Sequence, residues 1–251
     1  MPHRGRLNTL VNVLDYPASH LFHKISGKTH TPHELHHVID DATSHIAQSV
    51  WKDYDGKKTK ITMVHNPSHL EAQNPVSMGK TRSKQLQHGK EKVLNIQVHG
   101  DAAICAQGIV YESLLLGKVP KYDIDGTIHI ITNNQLGYTT RPIDSRASKY
   151  ASDVAKAFNI PIIHVNSENI EDVHRVMRLS MDYRVKFKKD IMIDLICYRK
   201  YGHNEVDEPE FTQPKMYHQI RKVHTPNTKA YSQALIEEGV LPENIYEEVR
   251  K

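Results

Sequence analysis

Val93-Leu94-Asn95-Ile96-Gln97-Val98-His99-Gly100-Asp101-Ala102-Ala103 is a run of β-formers that stops abruptly at Gly-Asp. A second such run, Ile128-His129-Ile130-Ile131-Thr132, stops at Asn133-Asn134-Gln135. Two strands ending in this way can set a carboxylate and an amide oxygen side by side at their C-terminal ends. Open α/β sheets bind their ligands there. Two hard oxygen donors suit Mg²⁺, which takes one or two protein carboxylates and completes its octahedron with water and phosphate. Taken alone, Gly-Asp and Asn-Asn also make ordinary strand-to-loop turns.

Working outward, strands are predicted over 60–65, 93–99, 127–132, 160–165 and 190–198. Most are nearly continuous apolar or β-branched runs, as strands buried on both faces of a parallel sheet require. Helices are predicted between them. The clearest covers 169–188, with Ser167 as its cap, Glu168, Glu171 and Asp172 at its positive end and lysines at its close. Its apolar or small-residue stripe is Ile170, Val173, Met177, Ser180, Met181 and Val185. Further helices are expected over 107–116 and 148–158 and beyond Pro214 and Pro226. Strands alternating with helices give an α/β class with a doubly wound, mainly parallel sheet. The polar, histidine-rich stretch 20–58 reads as a loop-rich excursion, and 83–91 as a short solvated loop.

The chain of 251 residues carries a net charge of +4, with 33 basic and 29 acidic residues. That balance demands no nucleic-acid partner. No apolar run approaches the roughly 20 residues of a membrane span, and the start of the chain lacks the apolar core of a secretory signal. Two cysteines, Cys105 and Cys197, cannot form a disulfide framework, and Cys197, in an apolar strand, reads as a buried and inert thiol. Among the 18 histidines, His33-Glu34-Leu35-His36-His37 satisfies H-E-x-x-H, in which two histidines and a glutamate share a helix face around zinc. This leaves a metallohydrolase through His33, Glu34 and His37 as a remote alternative, since the short pattern recurs by chance and no third ligand follows.

Five blocks carry a resemblance, in order along the chain: Met1-Pro2-His3-Arg4-Gly5-Arg6-Leu7-Asn8, Asn66-Pro67-Ser68-His69-Leu70-Glu71-Ala72, Gln107-Gly108-Ile109-Val110-Tyr111-Glu112, Asn133-Asn134-Gln135-Leu136-Gly137-Tyr138-Thr139-Thr140, and Cys197-Tyr198-Arg199-Lys200-Tyr201-Gly202-His203-Asn204-Glu205. The chain resembles the E1 component of the 2-oxoglutarate dehydrogenase family, nearest its 2-oxoadipate branch by Thr43-Ser44-His45 and by Leu136 and Tyr138.

The resemblance implies a thiamine diphosphate (ThDP)-binding fold and oxidative decarboxylation of 2-oxoadipate or 2-oxoglutarate, with acyl transfer to the lipoyl group of an E2 partner. By residue match, Asp101, Asn134 and the carbonyl of Leu136 hold Mg²⁺. Ala102 and Ala103 leave room for backbone N–H groups to meet the diphosphate, and His203 contacts it, with Arg199 as a possible helper. His3 and His45 stand in the substrate pocket as hydrogen-bonding and proton-shuttling groups, and Ser44 shapes it. Ala106, where Gly is usual, and His65, where an apolar or small residue is usual, are departures that touch no ligand.

The resemblance also implies a homodimer with a second E1 chain, a mitochondrial matrix location, and a diphosphate-binding domain over 1–251, partial at its N-terminal edge. Family members are several times longer, so the pyrimidine-binding domain is expected to be absent and this piece inactive alone. A non-catalytic truncated E1-like chain is the remaining alternative.

Overall fold

The computed structural model describes residues 1, 3–28, 34, 42–204, 206–223 and 227–250. Two helices open the chain, α1 (His3–Asn12) and α2 (Ala18–Ile25), and a 3₁₀ turn follows at Thr43–His45. Next comes a hairpin of β1 (Gln48–Tyr54) and β2 (Lys57–Met63), paired antiparallel. Helix α3 (Gln73–His88) leads into β3 (Asn95–Gly100), α4 (Asp101–Ala106), α5 (Gly108–Leu116) and β4 (Thr127–Asn133). The remainder is α6 (Pro142–Ser145), a 3₁₀ helix over Ala151–Phe158, β5 (Ile162–Asn166), α7 (Ile170–Phe187), β6 (Ile191–Ile196), α8 (Pro214–Val223), α9 (Asn227–Glu237) and α10 (Ile245–Arg250). Among the described residues no helix is long and apolar enough to cross a membrane.

Strands β3 to β6 form one parallel sheet in the order β3-β4-β6-β5. Alternation along each strand sends side chains to opposite faces. On one face Ile128, Ile191, Ile193 and Val165 meet Val173, Val176, Met177 and Tyr183 of α7. On the other, Ile131 and Met192 pack with Ile104 of α4, Val110 and Leu114 of α5 and the 3₁₀ helix over Ala151–Phe158. Both faces are covered, so the sheet is doubly wound as expected.

The second face is unusually polar for an interior. Gln97, His99, Thr127, His129, Asn133, Asp190 and Asp194 are all buried there. Each makes at least one hydrogen bond, although His129 Nε2 and Asn133 Oδ1 are buried without a partner. Asp194 accepts from Asn133 Nδ2 at 3.0 Å, Ser152 Oγ at 3.2 Å and His164 Nδ1 at 3.0 Å. Asp190 accepts from the Thr127 amide at 2.8 Å and from Lys118 Nζ at 2.8 Å. His129 Nε2 stands 3.9 Å from the same carboxylate, beyond hydrogen-bond reach.

Several sequence expectations need correction. Residues 83–88 belong to α3, not to a solvated loop, because its buried face is itself polar: Asn74, Met78, Thr81 and Gln85 recur at helical spacing. Gln85 Nε2 donates to the carbonyls of Ile124 and Val93. The predicted strand at 60–65 is β2, which stands outside the parallel sheet in a hairpin with β1; β1 lies inside the stretch read as loop-rich, its polar residues having concealed it. Asn169, not Ser167, caps α7, accepting from the Asp172 amide at 3.1 Å. The buried stripe of α7 runs through Val173, Val176, Met177, Ser180 and Arg184, leaving Met181 and Val185 exposed. Arg184 is buried because its guanidinium donates to the carbonyls of Gly126, Val93 and Ile124. The helix expected over 148–158 is a 3₁₀ helix.

Burial alone would raise the Asp190 carboxyl, but His129 and Lys118 facing it hold it well below the ordinary carboxylate range. A depressed native pKa gives stability that is present above the unfolded pKa and lost as pH falls through it toward the native value. Urea unfolding should therefore show the wild type losing stability from about pH 4 downward. Asp190→Asn, which keeps the Thr127 contact, should lose clearly less over the same window. Parallel curves for the two proteins would show that Asp190 contributes nothing to acid sensitivity.

Candidate active site

Strands β3 and β4 pair in register, Gly100 opposite Thr132. Asp101 therefore leaves the sheet as the first residue of α4, beside Asn133 and Asn134 on the neighbouring strand. The loop after β4 is tied down at several points. Asn134 Oδ1 accepts the Leu136 amide at 3.1 Å, an Asx turn that fixes the side-chain amide. Gln135 and Tyr138 both adopt positive φ, 64° and 59°, and Gly137 and Thr140 exchange two backbone hydrogen bonds of 2.9 Å. A Cβ on Gly137 would stand 2.8 Å from the Ala102 Cβ. Only glycine permits this approach, which brings the loop carrying Asn134 and Leu136 against the turn carrying Asp101 and Ala102.

Other residues close around the pair. Arg199 donates to the Tyr138 carbonyl at 2.5 Å and the Leu136 carbonyl at 3.3 Å. Its own carbonyl accepts from Tyr217 Oη at 2.7 Å. The His203 ring meets Tyr138 edge-on at 4.3 Å. Gly202 makes that turn possible, since a Cβ there would lie 2.0 Å from the Asp207 carbonyl oxygen. Cys197 donates its amide to Asn133 O and accepts at its carbonyl from Gln135 Nε2. It is half-buried rather than fully buried as expected, and burial raises its thiol to about 11.

Asp101 is only 3% exposed. Burial pushes its carboxyl up to about 6, against the pull of Arg146, its own and the Ala102 backbone N–H groups, and Arg199. Arg146 Nη1 stands 3.6 Å from Asp101 Oδ2. A carboxylate that is costly to ionise, and whose nearest cation stops short of hydrogen-bonding it, suits a further charge that arrives from outside. The donor set, one carboxylate, one amide oxygen and one backbone carbonyl, is the hard-oxygen set that Mg²⁺ takes. The residues present therefore fit a divalent cation.

The histidines expected in a substrate pocket lie in a second group. His45 closes the turn at Thr43–His45, its Nε2 3.4 Å from Ser68 Oγ and its carbonyl 2.9 Å from His65 Nδ1. Ser44 is half-buried within the same turn. Arg6, 1% exposed, pins α1 to this region through the Ile46 carbonyl at 2.5 Å and the Val64 carbonyl. His3 starts α1, but its side chain lies outside the description, as do His33 and His37 of the H-E-x-x-H stretch. An open groove of about 430 Å³ lies alongside, lined by Gln48, Thr62, Val64, His65, Gln73 and Lys80.

Glu71 joins the two groups. Its backbone is left-handed, φ 64°, and its carboxylate accepts from His99 Nδ1 at 2.7 Å and Asn74 Nδ2 at 2.9 Å. Burial alone would raise Glu71, but these hydrogen bonds hold it below its ordinary range, while burial lowers His99. A neutral His99 that donates from Nδ1 must accept at Nε2, so His129 Nδ1, 3.0 Å away, is the donor there. Sequence reasoning missed Glu71, His99 and Arg146. Only the position of Glu71 in the quoted Asn-Pro-Ser-His-Leu-Glu block and of His99 two residues before Asp101 hinted at them.

The Gly137–Ala102 approach predicts a signed pairwise effect. Gly137→Ala should destabilise the fold by about 1–3 kcal/mol through overpacking, and adding Ala102→Gly should recover a large part of that loss. Strictly additive effects in a denaturation double-mutant cycle would mean that the two segments are not in contact.

The chain is 47% identical over 248 residues to a probable 2-oxoadipate dehydrogenase complex component E1 homolog of Dictyostelium discoideum, covering 97% of this chain and 27% of that protein. It is 44% identical over 254 residues to the mitochondrial 2-oxoglutarate dehydrogenase of the same organism, covering 98% and 25%. It is 46% identical over 264 residues to the 2-oxoadipate dehydrogenase complex component E1 of Xenopus laevis, covering 100% and 28%. The chain thus spans about a quarter of the length of these relatives. The family model described as dehydrogenase E1 component matches residues 1–251, and the chain belongs to that family.

Proposed function

We propose that this chain forms the diphosphate-binding part of a ThDP- and Mg²⁺-dependent 2-oxoacid dehydrogenase E1. The observation that carries the reading is the meeting of two strand ends, Gly100 opposite Thr132 and Gly137 against Ala102, which brings Asp101 to the same edge as Asn134 and Leu136. In this reading Asp101, Asn134 Oδ1 and the Leu136 carbonyl hold Mg²⁺, and the backbone beside Ala102 and Ala103 faces the diphosphate together with His203. The cofactor, when bound, supplies the carbanion chemistry that decarboxylates a 2-oxoacid.

The chain's own residues bind and orient. Arg199 holds the Leu136 and Tyr138 carbonyls, so the loop keeps its shape whether or not a ligand is present. Leu136, 2% exposed, helps to keep water from the metal side. His3, Ser44 and His45 are assigned to the substrate, a 2-oxo dicarboxylic acid, with the histidines hydrogen-bonding its oxo group or a carboxylate and moving protons. Relatives named for 2-oxoadipate and for 2-oxoglutarate match at 47% and 44% identity, and Thr43-Ser44-His45 favours the former. The two substrates differ by one methylene, worth only about 1–3 kcal/mol of discrimination. The reading extends to acyl transfer to a lipoyl-bearing E2, pairing with a second E1 chain and the mitochondrial matrix.

Calorimetric titration of the purified chain with ThDP tests the reading. Binding should require Mg²⁺ and disappear in Asp101→Ala. A folded wild-type chain that ignores ThDP at millimolar Mg²⁺, or an Asp101→Ala variant that binds it equally well, would overturn it. The pH dependence follows from Asp101. Its carboxyl titrates at about 6, so below that pH protons compete with the cation. Mg²⁺ affinity should fall by about tenfold for each further pH unit and level off above it.

A further inference from the structure

Arg146 directly follows α6 and reaches Asp101. Its side chain is 7% exposed, and its Nε and Nη1 atoms are buried without a hydrogen-bond partner. The nearest carboxylate oxygen, Asp101 Oδ2, is 3.6 Å from Nη1, too far for a hydrogen bond. A guanidinium can be neither deprotonated nor rotated free of its charge. Buried donors of this kind are costly to leave unmet. Asp101 answers them poorly, and under the reading above its oxygens are directed to a cation. Once a divalent ion sits on Asp101, Arg146 faces added positive charge and needs an oxyanion of its own.

We propose that Arg146 is an anion-binding residue of this site and takes a phosphate oxygen of the diphosphate held beside Asp101 and Asn134. The proposal rests on the cofactor reading and adds a protein charge to it. The arrangement splits the work by sign. Asp101 and the two neutral oxygens hold the metal, and Arg146 holds the anion that the metal bridges. Neither half is satisfied until both ligands are present, so metal and diphosphate should bind cooperatively.

The test uses the whole chain and Arg146→Gln, with Mn²⁺ alone, inorganic pyrophosphate with Mg²⁺, ThDP with Mg²⁺, and thiamine as probes, read by calorimetry. Removing a positive charge beside Asp101 should leave Mn²⁺ binding unchanged or tighter. It should weaken Mg²⁺–pyrophosphate and Mg²⁺–ThDP by about 10- to 100-fold, the worth of a hydrogen bond to a charged group. Thiamine, which lacks the diphosphate, should not respond. Arg146→Lys, which keeps the charge but not the guanidinium, should fall between the two and serves if Arg146→Gln does not fold.

Equal weakening of Mn²⁺ alone and of pyrophosphate would overturn the proposal, showing that Arg146 only orients Asp101. Unchanged pyrophosphate affinity would also overturn it while leaving the cofactor reading intact. A folded wild type that binds neither pyrophosphate nor ThDP would overturn both.

Discussion

The parallel pairing of β3 with β4 is the constraint from which the site follows. Once Gly100 stands opposite Thr132, the chain has no freedom in where Asp101 and Asn134 emerge. A slip of one residue would turn each strand's side chains to the wrong face. It would move Ile131 out of its cluster with Ile104 and Met192 and set His129 against α7. Core packing on both faces thus holds the register, and the register holds Asp101 and Asn134 at one edge. Gly137 completes the arrangement by letting the loop after β4 close onto Ala102.

Behind this edge lies a buried polar face that an apolar core would not need. Glu71, His99 and His129 form a directed row of hydrogen bonds across β3 and β4. Asp190 closes the far side through Lys118 and the Thr127 amide. Such rows specify one arrangement of the groups they join. Here the row ties the Asn66–Glu71 segment, and through Ser68 the turn carrying His45, to the strand that delivers Asp101. The edge carrying Asp101 and the turn carrying His45 are thereby held to one scaffold.

Much of this was legible in the sequence. The parallel strands announce themselves as continuous apolar runs, and 127–132, 160–165 and 190–198 fall within two residues of the observed β4, β5 and β6. The meeting of Asp101 and Asn134 at adjacent strand ends was legible because Gly-Asp and Asn-Asn terminate two of those runs. What hid were elements whose buried faces are polar. Helix α3 presents Asn74, Thr81 and Gln85 inward to meet strand and loop carbonyls, so no hydrophobic stripe marks it. Strand β1 was lost among lysines and histidines because its hairpin leaves much of it in water. Arg146 and Glu71 were invisible for a related reason. A buried charge is recognised by what surrounds it, and sequence spacing says nothing of the 3.6 Å between Arg146 and Asp101. The resemblance in the five quoted blocks supplied the chemistry, which periodicity could not.

The central claim is that Asp101, Asn134 and the Leu136 carbonyl form one cation site. Crystals of the chain grown or soaked with Mn²⁺ and ThDP, measured near the manganese absorption edge, address it most directly. The account predicts an anomalous peak bonded to all three oxygens at about 2.0–2.3 Å, with diphosphate oxygens completing the shell. A peak at other residues, or a diphosphate bound with no metal at Asp101, would contradict it.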